Sequence, residues 1–265
     1  MKRLFLLCLV GMSCQKIVTL KLATTAPQLV IQGDVNDGPQ PYFVTLSQSV
    51  DFYASNNYPP VSGAKVVITD VTAGVSDTLT ETPTAGTYQT SILQGMNGHT
   101  YNLNVLSGGA TYTATSTIPS TFVVLDSVTF VVTGRRGKGQ NISPVPNFQD
   151  PDTGSHYYQF VLYGNGVQVP KTYVFSDRLS QGRYIHEPLN TDTSDVQSGE
   201  ELRVDLYCID SDVYTYLNEL TSITNIGAQS ENAAPANPTS NITGGCLGYF
   251  SAHTVSEKVV LVPSF

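Results

Sequence analysis

The chain has 265 residues, 40% of them hydrophobic and only 13% charged, with 22 Gly, 15 Pro, four Cys and no Trp. That length buries a sizeable core without help from disulfides or a metal, and so low a charge content excludes a coiled coil, a long-helix protein and a charge-driven disordered tail. A formal net charge of -8 excludes a basic footprint for nucleic acid or anionic lipid.

Met1-Lys2-Arg3 is a positive n-region, and Leu4 to Met12 is an apolar stretch of signal-peptide length, too short for a stop-transfer helix. It ends in Gly11-Met12-Ser13-Cys14, which resembles the lipobox of bacterial lipoproteins, where the Cys sulfur receives diacylglycerol before cleavage. The expectation is a signal peptide over 1–13, lipidation at Cys14 and loss of Cys8; an ordinary signal peptide with a chance Cys is the alternative. Losing Lys2 and Arg3 from the 13 basic residues leaves 11 against 21 acidic ones, a charge of -10. Cys208 and Cys246 remain, and in an oxidising compartment they can pair; buried free thiols are the alternative.

Residues 14–27 read as a tether and lead-in strand, with Ile17 to Leu22 extended. From 28 to 119 short strands are separated by Gly, Asn and Pro, the rhythm of a β-sandwich. They run through Leu29 to Ile31, Tyr42 to Ser47, Val61 to Asp70, Thr78 to Glu81, Gly86 to Thr90, His99 to Val105 and Ala110 to Thr117. Pro60, Gly63, Ala64, Val66, Ile68, Asp70, Gly86, Tyr88, Tyr101, Leu103 and Val105 together resemble the carboxypeptidase-regulatory-like or transthyretin-like modules of Bacteroidetes surface proteins. The polar segment from Gln48 to Pro60, with Tyr53 and Tyr58, reads as an exposed excursion.

Ile118-Pro119-Ser120 marks a boundary, and 120–265 reads as a second sandwich. Phe122 to Thr133 is a strand, Arg135, Arg136 and Lys138 form a basic turn, and a Pro/Asn-rich link leads to Phe148. Alternation in His156 to Tyr163 and in Glu201 to Cys208 predicts two further strands. Val213, Tyr216, Leu217, Leu220 and Ile223 make a helical stripe over about 212–224, with Ser211 as its cap. The fold class expected is therefore all-β, two β-sandwiches with one helix in the second.

Catalytic signatures are missing: no G-x-S-x-G, S-x-x-K, H-E-x-x-H or phosphate loop occurs. His99, His156, His186 and His253 are isolated, without the i, i+2 or i, i+4 spacing that aims two imidazoles at one ion. Asp34-Val35-Asn36-Asp37-Gly38 departs from a calcium loop, because Thr45 stands where the bidentate Glu belongs. A plain hairpin turn is expected there, and no metal or cofactor anywhere. Asp77-Thr78-Leu79 and Asp126-Ser127-Val128 resemble the D-S/T-aliphatic O-glycosylation sites of the same bacteria.

The run Asn237-Pro238-Thr239-Ser240-Asn241-Ile242-Thr243-Gly244-Gly245-Cys246-Leu247-Gly248-Tyr249-Phe250-Ser251-Ala252 resembles the signature of a Bacteroidetes lipoprotein family of unknown function. Pro41 to Ser47, Pro60 to Ala64, Asp177-Arg178-Leu179 and Ile209-Asp210 agree with it. The resemblance implies an outer-membrane lipoprotein encoded beside TonB-dependent transporters, with the cell surface favoured over the periplasmic face. The expectation is a non-enzymatic accessory or binding subunit whose partner is an outer-membrane β-barrel. Tyr53, Tyr58, Asn237 and Asn241 are its candidate binding surface. A surface glycan-binding lipoprotein is the alternative, and a hydrolase the third reading.

Overall fold

The computed structural model describes residues 26–51, 54, 57–134, 140–225 and 236–264. The expected signal peptide, Cys14, the lead-in strand, Tyr53 and the basic turn at Arg135, Arg136 and Lys138 lie outside the described residues.

In chain order the strands are β1 (Leu29–Asn36), β2 (Phe43–Gln48), β3 (Lys65–Asp70), β4 (Val75–Thr78), β5 (Thr80–Glu81), β6 (Thr87–Gln89), β7 (Thr100–Ser107), β8 (Ala110–Thr117) and β9 (Leu125–Thr133). Then come β10 (Asn141–Gln149), β11 (Tyr157–Gly164), β12 (Val167–Gln168), β13 (Tyr173–Ser176), β14 (Tyr184–Ile185), β15 (Glu201–Ile209), the helix α1 (Ser211–Asn225), β16 (Ile242–Thr243) and β17 (Leu247–Leu261). The protein is all-β, as the composition implies.

A nine-stranded sheet runs β12-β11-β15-β17-β1-β2-β6-β5, with β13 on the same edge of β11 as β12. One half of it packs on the five-stranded sheet β16-β8-β7-β3-β4, enclosing Ile31, Val44, Phe250 and Ala252 with Ile68, Tyr101 and Leu103. The other half packs on the three-stranded sheet β14-β10-β9, enclosing Tyr158, Phe160, Val204 and Leu206 with Leu125 and Phe148. The helix lies on the opposite face of the long sheet, where Val213, Tyr216 and Leu217 meet Tyr157, Tyr207 and Tyr249.

The division expected at Ser120 does not part the sheet. β17 pairs antiparallel with β15 and parallel with β1, from Val30↔Leu247 to Asn36↔His253. Residues from the far end of the sequence thereby complete the first sandwich: Ile242, Cys246, Phe250 and Ala252 belong to its core. A parallel pair needs a long crossover, and here nearly the whole chain serves as that connection.

Two local expectations are corrected. The Pro/Asn-rich link is the buried strand β10, paired with β9 from Asn141 to Phe148. Its prolines are tolerated because their polar edge faces away from β9: the Pro144 carbonyl accepts from the Leu189 N–H at 2.9 Å. The helix cap is Asp210 rather than Ser211, since Asp210 Oδ1 accepts from the Val213 N–H at 2.9 Å. The other carboxylate oxygen accepts from Ser116 Oγ of β8, and Ser116 Oγ accepts from the Ala252 N–H of β17 at 2.7 Å. One aspartate thus couples the helix, the five-stranded sheet and the long sheet.

Cys208 and Cys246 are free and buried, and the possible bridge between them is not formed. Each sits in a different core. Cys208 pairs with Thr254, eight residues along extended β17 from position 246, a separation on the order of 25 Å where a bridge needs about 6 Å. Burial pushes the Cys208 thiol up to about 11, which leaves it unreactive.

Gly248 permits the β1–β17 join. Its φ is +97°, and a Cβ there would stand 1.9 Å from the carbonyl oxygen of Ile31. Gly245 also has a positive φ, +82°, but nothing lies within 4 Å of its Cβ position. Gly248→Ala should therefore cost about 3 kcal/mol or more, against about 1 kcal/mol for Gly245→Ala, in urea unfolding. Equal costs would show that backbone conformation, not close approach, explains Gly248.

Candidate functional site

Strand alternation dictates what the long sheet shows on the face away from its two cores. Along β1, Ile31, Gly33 and Val35 point inward, leaving Gln32, Asp34 and Asn36 outside. β17 contributes Tyr249, Ser251 and His253 to the same face, in register with those three. Tyr207 of β15 stands opposite Gln159 of β11, and Tyr163 lies further along β11. These side chains, with Phe43 and Thr45 of β2 and Gln168 of β12, line a groove of about 290 Å³. That is the lower end of the range for small-ligand sites.

His253 is buried in the groove floor, its ring stacked on Tyr207 at 4.4 Å between centroids and its Nδ1 3.0 Å from Ser251 Oγ. Burial holds its pKa down at about 3, so the imidazole is neutral at physiological pH. A base that weak is ill matched to activating Ser251 at neutral pH, but it is a good hydrogen-bonding group. Burial raises the Asp34 carboxyl to about 6, against the opposing effect of the Asn36 amide 3.3 Å away. Burial also lifts Tyr207, with the Asp205 carboxylate adding to it, and pushes Tyr249 up to about 12. Beside the groove, the Arg203 guanidinium lies 3.9 Å from the Tyr163 ring centre and its Nε is 3.2 Å from Asp205 Oδ1. The floor therefore offers aromatic faces next to a neutral imidazole and a carboxyl that ionises late.

A second constellation lies where β10, β11 and β13 end together. Asp150 follows β10, His156 precedes β11, and Asp177 follows β13. Pairing of Tyr157 with Ser176 brings the last two side by side, and the Asp177 N–H donates to the His156 carbonyl at 3.2 Å. His156 Nδ1 is 2.9 Å from Asp177 Oδ2 and 3.9 Å from Asp150 Oδ1. Asp150 also accepts from the Tyr158 hydroxyl and from the Gly182 N–H at 2.9 Å. Spacing along the sequence did not reveal this cluster, because only strand pairing brings His156 and Asp177 together.

The residues singled out from sequence are scattered. Tyr58 is 54% exposed beside β2, and Asn237 is exposed beyond the helix; neither lines the groove. Asn241 is a clamp rather than a contact residue: its amide donates to the Phe250 carbonyl at 2.7 Å and accepts from the Phe250 N–H at 3.0 Å. Thr78 and Ser127 are exposed on strands. Their triplets differ at the acid, since Asp77 is buried and binds the backbone N–H groups of Ser91, Ile92 and Leu93. Although burial alone would raise its pKa, those hydrogen bonds hold it below the ordinary value. His99 is likewise structural, with Nδ1 2.7 Å from Asp70 Oδ2.

An all-β chain with two cores on one sheet and an open polar-aromatic face defines the class of protein. The chain belongs to the family described as Domain of unknown function (DUF4249), which matches residues 15–259. No curated protein matches it.

The groove has a pH signature. Asp34 is protonated in both states below about pH 3; between about pH 4 and 6 the unfolded chain ionises it while the folded chain resists, so stability falls across that window and the loss is complete above it. Asp34→Asn should raise stability at pH 7 by on the order of 1–2 kcal/mol and leave it unchanged near pH 3, measured by urea unfolding. A gain of equal size at both pH values would contradict the burial of this carboxyl.

Proposed function

We propose that the chain is a non-enzymatic, lipid-anchored protein of the bacterial outer membrane, an accessory or binding subunit of a TonB-dependent transporter or another outer-membrane complex. The observation that carries the binding role is the groove around Asp34, Tyr207, Tyr249 and His253 on the open face of the long sheet. Its polar groups are held in place by the β1–β17–β15 ladder, so little ordering is left to oppose binding. The anchor at Cys14 and the signature from Asn237 to Ala252, with the family likeness it implies, support the location and the barrel partner. Loading a solute from a tethered binding protein into a barrel would suit a groove of this size.

A surface glycan-binding role is the second reading, favoured by one feature of the groove. Tyr and Phe rings beside Gln, Asn and Asp side chains can stack on sugar faces while hydrogen-bonding the hydroxyls.

Tagged full-length chain solubilised from native membranes should bring down an outer-membrane barrel in constant ratio, and Cys14→Ala should move the chain to the soluble fraction. A monomer that binds oligosaccharides, with about tenfold weaker affinity in Phe43→Ala or Gln159→Ala, would favour the glycan reading over the accessory one. Unchanged membrane retention of Cys14→Ala would contradict the anchor.

A further inference from the structure

We propose that Asp150, His156 and Asp177 form a site for one divalent transition-metal ion of the Zn²⁺ class. Their ligand atoms, one imidazole nitrogen and two carboxylate oxygens, all lie within 4.8 Å of one another. Bonds of about 2.0–2.2 Å in a tetrahedron would space such ligands about 3.4 Å apart. The 2.9 Å and 3.9 Å separations from Nδ1 bracket that value, so small side-chain movements complete the geometry.

Charge points the same way. The side chains of Asp150 and Asp177 are 0% and 2% exposed, and among the described residues their ion pairs are with His156 alone. One imidazolium balances at most one of two buried carboxylates, whereas a divalent ion with a neutral imidazole balances both. Arg178 and Arg183 stand exposed on the adjoining groove wall and form no ion pair with either aspartate.

The surroundings resemble those of a built metal site. Asp150 is oriented by the Tyr158 hydroxyl on one oxygen and the Gly182 N–H on the other, the outer hydrogen bonds that position a ligating carboxylate. The His156 ring packs near that of Tyr158, with centroids 6.5 Å apart and planes 27° from parallel. Asp177, with Gly154 and Ser155, borders an open groove of about 1000 Å³, which gives an ion a way in and leaves its fourth position to water or a solute. A mixed nitrogen and oxygen set selects a borderline ion over Ca²⁺ or Mg²⁺, which prefer oxygen alone.

The test is calorimetric titration of the chelator-treated full-length chain with ZnCl₂, together with the visible absorption of added Co²⁺. One ion per chain at micromolar or tighter Kd, a rise in Tm on loading, and a tetrahedral Co²⁺ spectrum are expected. Asp177→Asn, which keeps the side-chain shape, and His156→Gln should each weaken binding by about a hundredfold or more. Failure of the unaltered chain to bind one equivalent overturns the proposal and leaves the cluster a hydrogen-bonded latch. Undiminished binding in a folded Asp177→Asn variant overturns it too, by placing the ion elsewhere.

Discussion

The parallel contact between β1 and β17 is the constraint on which the rest of the molecule depends. At Gly248 the backbone of β17 passes so close to Ile31 that no side chain fits between them. β17 runs 15 residues, Leu247–Leu261, first beside β1 as far as His253 and then beside β15 from Thr254 onward. Phe250 and Ala252 fill one core and Val260 packs against the other. Two sandwiches that would otherwise each have an unpaired edge strand instead share one sheet, and the edge liability disappears at their junction.

The family-like signature gains a physical meaning from this join. Gly244, Gly245 and Gly248 all have positive φ, Asn241 clamps both polar groups of Phe250, and Ile242 and Thr243 pair with β8. The run builds the turn that carries the chain from the five-stranded sheet into the long one. Asp210 reinforces the same junction through Ser116 and Ala252. With both halves of the inner face of the long sheet covered and α1 seated at one end of the outer face, the remaining outer face is free to carry Asp34, Tyr207, Tyr249 and His253. The groove exists because the join exists.

Much of the fold was legible because strand alternation is a local property. Glu201 to Cys208 and the stripe from Val213 to Ile223 each record which side faces apolar atoms, and both elements form where that pattern puts them. β10 was not legible, since Pro144 and Pro146 argue against a strand until a neighbour is known that leaves their edge unpaired. Nor was the order of strands in the sheet: the partner of Val30 is Leu247, and no local pattern encodes a pairing across that separation. The sites were hidden for the same reason. Asp34 looks like a turn residue until β17 arrives beside it, and His156 looks isolated until β13 brings Asp177. Asn241 was attractive as an exposed polar loop residue, and only the fold shows its amide already spent on Phe250.

If one strand unites the two sandwiches, they should open as a unit. Native-state hydrogen exchange measured against urea tests this directly, by comparing amides of β3 and β7 in the first core with those of β11 and β15 in the second. The shared-strand account predicts that both sets converge on one opening free energy and one urea dependence, equal to those of global unfolding. Two distinct free energies, with one sandwich exchanging while the other stays protected, would contradict it.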